Sequence, residues 1–158
     1  KITSEVIIPK AICEKTLRTT PLQIARYCQA STLAAIQSGA IGAQGHIANG
    51  LTALFIACGQ DVACIAESAI GLTKMEVNKK GDLYVALTLP ALIVGTVGGG
   101  TALPTQKECL EMLKCSGAGN ANKFAEICCA IALAGEISIV AAMAANHFSS
   151  AHQKLGRK

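Results

Sequence analysis

The chain has 158 residues, the length of one domain or of part of a larger one. Apolar residues make up 51% of it and charged residues only 15%, against about 25% charged in an ordinary globular domain, so we expect more chain or another subunit to cover much of its surface. The net charge of +4 is mild, and no basic run is interleaved with aromatic residues, which argues against nucleic-acid binding.

The first part of the chain is predicted to begin with a strand and to continue as helices. Residues 2–8 are rich in β-branched side chains and end at Pro9, which has no backbone donor. A short helix is predicted over 10–17, and Pro21 suits the first turn of the next helix. A further helix is predicted over 61–68. Between the helix that starts at Pro21 and the helix at 61–68, apolar residues recur on one helical face at Ile47, Leu51, Leu54 and Phe55.

The middle of the chain carries a pattern that is typical of strands. Segments 71–77 and 83–89 are predicted strands, and the Asn-Lys-Lys-Gly-Asp sequence at 78–82 is a hairpin signal. A third apolar run, 91–97, ends in a group of glycines. Glycines after a strand let backbone N–H groups meet a phosphate or a carboxylate, although a plain tight turn explains the same residues.

The last part of the chain is predicted to be helical. A helix over 105–114 has Thr105 as its N-cap and Glu108 at the capping-box position. After a loop at 117–120, one helix is predicted from residue 121 to about residue 153, on the order of 50 Å long if it is unbroken.

The longest apolar stretch of the chain, 125–145, lies in this last helix. It contains Glu126 and Glu136, which favours a buried or interface helix over a membrane span. These acids and the predicted hairpin also argue against a small membrane-associated helical module. Glu136 requires a partner, either a basic residue or an interface.

The chain has eight cysteines, but their spacing supports neither a disulfide framework nor a metal site. They lie in apolar, helix-like surroundings, without a Cys-x-x-Cys pair and without a histidine at ligand spacing. The sequence therefore predicts buried free thiols in a reducing compartment and no bound metal.

Three titratable residues with apolar, glycine or small neighbours are candidates for chemistry. Asp61 is suited either to capping the next helix or to catalysis. His46 follows a glycine on a predicted helical face, where a histidine is more often structural. His152 lies near the end of the long helix, where the helix dipole favours imidazolium and suits a proton donor, although an exposed surface histidine is commoner.

Six segments, in order along nearly the whole chain, resemble the catalytic region of the class I 3-hydroxy-3-methylglutaryl-CoA (HMG-CoA) reductases. The most specific are Gly-Gln-Asp at 59–61 and Gly-Thr-Val-Gly-Gly-Gly-Thr at 95–101. The others are Gly-His-Ile-Ala-Asn at 45–49, Asp-Leu-Tyr at 82–84, Ala-Gly-Glu-Ile-Ser at 134–138 and Ala-His at 151–152.

The resemblance implies an α+β fold with long helices packed on a small, mostly antiparallel sheet. It also implies an oxidoreductase of the mevalonate and isoprenoid pathway, which reduces HMG-CoA to mevalonate and CoA with NADPH. Asp61 matches the family's catalytic aspartate, which sets the pKa values of a glutamate and a lysine. His152 matches the acid that protonates the CoA thiolate.

The resemblance also assigns residues to the two ligands. Those that match the HMG pocket are His46 and Asn49, with an apolar border of Ile139, Ala142 and Met143. Those that match the surroundings of the dinucleotide are Gly95, Thr96, Val97, Gly98, Gly99 and Gly100, with Arg157 near its phosphates.

The family's catalytic glutamate, its catalytic lysine and its main dinucleotide motif precede the strand at 2–8, and none of them occurs in these 158 residues. The resemblance thus implies that residues 1–158 are the C-terminal segment of the large, substrate-binding domain and that the small NADP-binding domain is absent from this chain. The implied partners are the missing upstream part of the enzyme and a second subunit in a homodimer or tetramer. The implied location is the cytoplasm, or the cytosolic face of the endoplasmic reticulum if the full protein is membrane-anchored.

One segment departs from the family. Around 29–34 the family has Lys-Asn-x-x-Gly-Ser, whose lysine binds the HMG group, whereas Gln29 stands at the start of this segment here. Either the local register differs or the chain has lost that cation. The alternative function is therefore a non-catalytic, reductase-derived binding or regulatory protein.

Overall fold

The computed structural model describes residues 1–148, 153 and 156. The fold is α+β, with helices packed on a small antiparallel sheet, as expected. The elements in chain order are β1 (Ile2–Ile8), α1 (Lys10–Ile12) with a π-helical turn (Cys13–Leu17), α2 (Pro21–Gln37), α3 (Ile47–Ala57), a 3-10 turn (Val62–Cys64), α4 (Ile65–Ser68), β2 (Leu72–Val77), β3 (Leu83–Leu89), a second 3-10 turn (Gly99–Ala102), α5 (Pro104–Met112) and α6 (Ala121–Ala144).

The sheet has the strand order β1-β3-β2, and both pairs of strands are antiparallel. The hairpin between β2 and β3 turns at Asn78, whose side-chain Oδ1 accepts the N–H groups of Lys80 and Asp82. Gly81 takes the left-handed conformation in this turn, with φ of 86°. Alternate residues of β3 are fully buried, so one face of the central strand is turned to the core. The predicted strands and hairpin are confirmed.

Helix α6 is the element on which the others pack. It contacts α2, α3, β1 and β3, and its Phe124 and Cys128 are fully buried. By length and composition alone it is long and apolar enough to cross a membrane. Its contacts with the sheet and with two helices instead make it the central helix of the core, which is the interpretation that the sequence favours.

No strand forms over 91–97, the third apolar run of the chain. The N–H of Ile93 donates to Ser68 Oγ at 3.1 Å, and the N–H of Gly95 donates to Gln60 Oε1 at 2.8 Å. Side chains from the α3–α4 region thus accept the backbone N–H groups that, in a strand, would donate to an adjacent strand. The central strand β3 already pairs on both edges.

Two helix boundaries differ from prediction. Helix α5 begins at Pro104, with Leu103 rather than Thr105 as its N-cap residue and no side-chain cap bond. Proline fits the first helical position because its fixed φ is already helical and its missing donor is not needed there. Helix α6 ends at Ala144, short of residue 153, because Asn146 adopts a left-handed φ of 58°.

All eight cysteines are free, as predicted, and six of them are buried. Burial raises the pKa of the Cys128 thiol to about 12 and that of Cys58 to about 11. These thiols remain protonated and act as small apolar core residues.

Candidate functional site

A cleft forms where the end of α3 meets the glycine-rich loop. It has a volume of ≈ 200 Å³, and Asp61 lies exposed on its wall. Its lining comprises residues of the two most specific sequence segments and their neighbours, namely Gly59, Gln60, Asp61, Cys64, Ile93, Val94, Gly95, Val97, Gly98, Gly99 and Thr101. The fold thus brings together two segments that lie more than 30 residues apart in the chain.

Two glycines make this approach possible. Gly59 has a left-handed φ of 67°, and a Cβ built on it would overlap the carbonyl carbon and oxygen of Gly100. A Cβ built on Gly100 would lie 3.0 Å from the carbonyl oxygen of Gly59. The backbones therefore touch directly, which requires glycine on both sides.

Gln60 ties the two segments together. Its Nε2 donates to the carbonyl of Cys58 at 2.9 Å, and its Oε1 accepts the N–H of Gly95 at 2.8 Å. One side chain thus joins the end of α3 to the start of the loop. The Gly59-Gln60-Asp61 sequence positions the loop as well as the aspartate.

Asp61 caps the 3-10 turn that follows it. Its Oδ1 accepts the N–H of Ala63 at 3.0 Å, and its backbone is extended, with φ of −74° and ψ of 112°. The capping role that the sequence offered is thus present. A cap uses one carboxylate oxygen and leaves the group exposed at the cleft, so capping and chemistry are compatible at this residue.

The predicted cofactor residues do not all face the cleft. Four of them line it: Gly95, Val97, Gly98 and Gly99. Gly100 packs on Gly59 instead. Thr96 is buried, and its Oγ1 donates to the carbonyl of Gly117 at 2.7 Å, which makes it an anchor of the loop.

The N-terminal end of α3 carries the predicted substrate residues His46 and Asn49. Asn49 is exposed, and His46 is half-buried. The His46 ring packs against Gly50 and Gly135, and a Cβ built on Gly135 would overlap the ring. Within the described part of the chain, His46 Nδ1 is buried and has no hydrogen-bond partner.

Glu136 is the buried acid of α6, and its partners are not those predicted. Its carboxylate accepts the backbone N–H groups of Gly45, His46 and Ile47, and the hydroxyl of Thr73 at 3.3 Å. The start of a helix therefore takes the place of the expected basic residue or interface. Unpaired N–H groups at a helix N-terminus are well suited to a carboxylate.

A second cavity, of ≈ 170 Å³, lies between α2 and α6. The predicted substrate residues Ile139 and Met143 line it, whereas Ala142 does not. Gly45 and Glu136 are also on its wall, so it borders the segment that carries His46. Neither His46 nor Asn49 lines the cavity, so this chain does not gather all the predicted substrate residues in one place.

Gln29 faces elsewhere. It is exposed on α2 and lines a shallow groove together with Lys74 and Glu76 of β2. Lys74 Nζ lies 3.0 Å from Glu76 and 5.7 Å from the centre of the Tyr84 ring. Cys28, the neighbour of Gln29, lines both this groove and the cavity of Ile139 and Met143, whereas Gln29 lines the groove alone.

Two predicted site residues, His152 and Arg157, lie outside the described residues. Among the residues that are described, no group of three or more His, Cys, Asp or Glu side chains is placed to hold a metal.

Sequence reasoning missed two residues that organise the site. The Gly-Gln-Asp motif does not indicate the contacts of Gln60, and the apolar sequence around Glu136 indicates only that this acid needs a partner. Gln60 stands between a glycine and the candidate catalytic Asp61, and a polar side chain at such a position indicates a role in holding the backbone of the site. The Glu136 contact spans about 90 residues, and no local pattern reveals it.

Comparison with known proteins identifies the family of this chain. The family model described as hydroxymethylglutaryl-coenzyme A reductase matches residues 1–157. The chain is 46% identical to the 3-hydroxy-3-methylglutaryl-coenzyme A reductases of Pyrococcus horikoshii and Methanocaldococcus jannaschii, over 99% of its own length and 39% and 38% of theirs. It is 39% identical to that of Phycomyces blakesleeanus, over 14% of the fungal protein. The chain thus spans about two fifths of its archaeal relatives, and it belongs to the hydroxymethylglutaryl-coenzyme A reductase family.

Proposed function

We propose that the protein containing this chain reduces HMG-CoA to mevalonate and CoA with NADPH. In this proposal, residues 1–158 supply the C-terminal part of the large, substrate-binding domain, and the small NADP-binding domain lies elsewhere in the protein. The observation that carries the proposal is the cleft in which Asp61 meets the glycine-rich loop, in a chain of this family. The family's catalytic glutamate and lysine would come from the rest of the protein.

The glycine-rich loop has the character that a dinucleotide site needs. Gly98 and Gly99 have left-handed φ angles, and a Cβ built on either would meet nothing within 4 Å. The backbone there is open to a ligand, with no side chain in the way. Gly95, Val97, Gly98 and Gly99 are therefore the residues that would contact NADPH, which supplies hydride when bound. Arg157 is proposed to pair with its phosphates.

Asp61 is proposed to act through its charge. Its backbone is fixed by the cap to Ala63 and by the adjacent Gln60 contacts, so the carboxylate is preorganised at the cleft. A fixed negative charge favours the protonated forms of neighbouring acids and lysines. Asp61 would thereby keep a proton available for the carbonyl oxygen that is being reduced. His152 is proposed to deliver a proton to the departing CoA thiolate.

The proposed substrate contacts lie at the start of α3 and on α6. His46 and Asn49 would meet the polar end of the HMG group, and Ile139, Ala142 and Met143 would border it. Gln29 is also a proposed substrate contact, since the groove that it lines shares Cys28 and Thr73 with the cavity of Ile139 and Met143.

The same proposal includes further protein partners. Two large apolar side chains that line the cleft are exposed, Val97 at 67% and Ile93 at 52%. Exposed apolar surface at a site is typical of an interface. We propose that the upstream part of the enzyme and a second subunit cover it. A cytoplasmic location is part of the proposal, since reducing compartments keep thiols free.

The test uses the complete protein that contains this chain. HMG-CoA-dependent oxidation of NADPH is followed by absorbance, and mevalonate is identified by mass spectrometry. The expected result is turnover by the complete protein and none by the 158-residue chain alone, because the other catalytic groups are missing from it. A complete, folded protein that binds HMG-CoA without turnover would instead favour the non-catalytic, reductase-derived function.

A further inference from the structure

Glu136 joins two distant parts of the chain through a buried network. Its side chain is part of α6, 1% exposed, and reaches the first turn of α3. Oε1 accepts the N–H of Gly45 at 2.9 Å and that of Ile47 at 3.1 Å, and it also accepts the N–H of His46. Oε2 accepts the Thr73 hydroxyl. The carboxylate of α6 thus accepts donors from two other parts of the fold, the start of α3 and strand β2.

This network replaces a local cap. The N-cap residue of α3 is His46, and its side chain makes no capping hydrogen bond. The first N–H groups of a helix have no partners within the helix. At α3 the N–H of Ile47, and those of Gly45 and His46 just before it, donate to an acid about 90 residues further along the chain, which ties the start of α3 to α6.

The neighbouring residue of α6 fixes the His46 ring. Gly135 leaves the space that the ring occupies, and a Cβ at this position would overlap Nδ1. Gly50, one turn into α3, also lies against the ring, since a Cβ built there would be 3.2 Å from His46 Cε1. Gly135 and Glu136 together therefore determine both the backbone and the side-chain position of His46.

We propose that Glu136 is a positioning residue for the HMG-CoA site. Its side chain is 1% exposed, so we assign it a role through the 45–47 backbone rather than through contact with substrate. It holds the 45–47 backbone so that His46 and Asn49 present themselves to the HMG group. The inference rests on the proposed function, since that assigns His46 and Asn49 to substrate.

The test compares Glu136→Ala and Glu136→Gln in the complete protein, with Glu126→Gln as the matched control. Glu126 is an exposed acid on the same helix. Glu136→Ala removes both carboxylate oxygens. Glu136→Gln keeps one oxygen that can accept the backbone N–H groups and replaces the other with an NH2 group. We expect the KM for HMG-CoA to rise at least tenfold in the alanine variant and by less in the glutamine variant. The KM for NADPH should stay within twofold in both variants, and the control should match the parent.

A second readout does not depend on turnover. Amide hydrogen exchange at 45–47 should accelerate at least tenfold in Glu136→Ala and stay at the parent rate in Glu126→Gln. If the alanine variant does not fold, the glutamine variant is used for both measurements. We then expect the KM for HMG-CoA and the exchange rate at 45–47 each to rise about threefold or more.

Several outcomes would overturn the inference. Equal rises in both KM values would indicate a general structural role, and an unchanged KM for HMG-CoA or unchanged exchange at 45–47 would remove the positioning role. A parent protein without HMG-CoA turnover would reject the proposed function itself, and the inference with it. An active parent with an unaffected Glu136 variant would reject the inference alone.

Discussion

At the scale of single residues, the cleft depends on the contact between Gly59 and Gly100. Gly59 combines a left-handed φ with a backbone-to-backbone contact, so it meets two separate requirements for glycine. Gly81 in the β2–β3 turn meets only the first, because it has a φ of 86° and open space around a built Cβ. The two positions allow backbone strain and steric overlap to be measured separately.

Gly59→Ala should lower the free energy of unfolding by about 2–4 kcal/mol, because strain and overlap add. Gly81→Ala should cost only about 1 kcal/mol, from strain alone. Urea denaturation of both variants checks the difference. Equal losses would mean that the loop moves away from Gly59 at no cost, and the contact would not be a fixed part of the cleft.

At the scale of elements, Gln60 determines how the glycine-rich loop is attached to the end of α3. The loop has no strand partner, and Gln60 Oε1 serves the N–H of Gly95. A second attachment, between Thr96 and Gly117, fixes the far side of the loop. The loop is therefore held by side chains rather than by a sheet.

Gln60→Leu should loosen this loop. Leucine has a similar volume but no acceptor for the Gly95 N–H, which should cost about 1–3 kcal/mol of stability. Amide exchange over 93–101 should rise while exchange in the β2–β3 hairpin stays the same. An equal rise in the hairpin would indicate global destabilisation and contradict the local role.

Elements defined by local chemistry were predictable from the sequence. The β2–β3 hairpin has its turn residues and alternation within one short segment, and α2 has Pro21 and a capping box of Thr20 and Gln23. The apolar run at 91–97 does not reveal its conformation, because the partners of its N–H groups, Ser68 and Gln60, lie far away in the sequence. The end of α6 was misjudged because a left-handed asparagine, not a glycine or proline, interrupts the helix there.

At the scale of the whole molecule, buried thiols couple stability to alkaline pH. The pKa of Cys128 is raised from 9.0 to about 12 by burial. Between these values the unfolded chain loses the thiol proton and the folded chain keeps it. The unfolded state therefore binds fewer protons, and stability falls as pH rises through this window.

Cys128→Ala should reduce that alkaline loss. The variant is expected to be less stable than the parent at neutral pH, because a buried sulfur is removed, and to lose less stability between pH 9 and pH 11. Urea denaturation at both pH values gives the comparison. Parallel losses in parent and variant would show that Cys128 does not contribute to the pH dependence.

The candidate site was only partly predictable at this scale. Asp61 and the glycine-rich loop were identified from their sequences, and the fold brings them into one cleft. The surroundings of Gln29 depend on how α2 packs against β2, which the local sequence does not reveal. The link between Glu136 and His46 depends on tertiary contact between α6 and α3, which no periodicity encodes.

The central claim is that Asp61 acts chemically at the cleft in addition to capping a turn. Asp61→Asn separates these roles, because asparagine caps about as well as aspartate but carries no charge. The matched control is Asp82→Asn, since Asp82 also accepts a backbone N–H, that of Lys10. The decisive measurement is the kcat of the complete protein for HMG-CoA. We predict a loss of roughly 100-fold or more in Asp61→Asn, corresponding to about 3 kcal/mol, with an unchanged melting temperature and a normal kcat in the control. Near-normal turnover in Asp61→Asn would contradict the account and leave Asp61 as a cap alone.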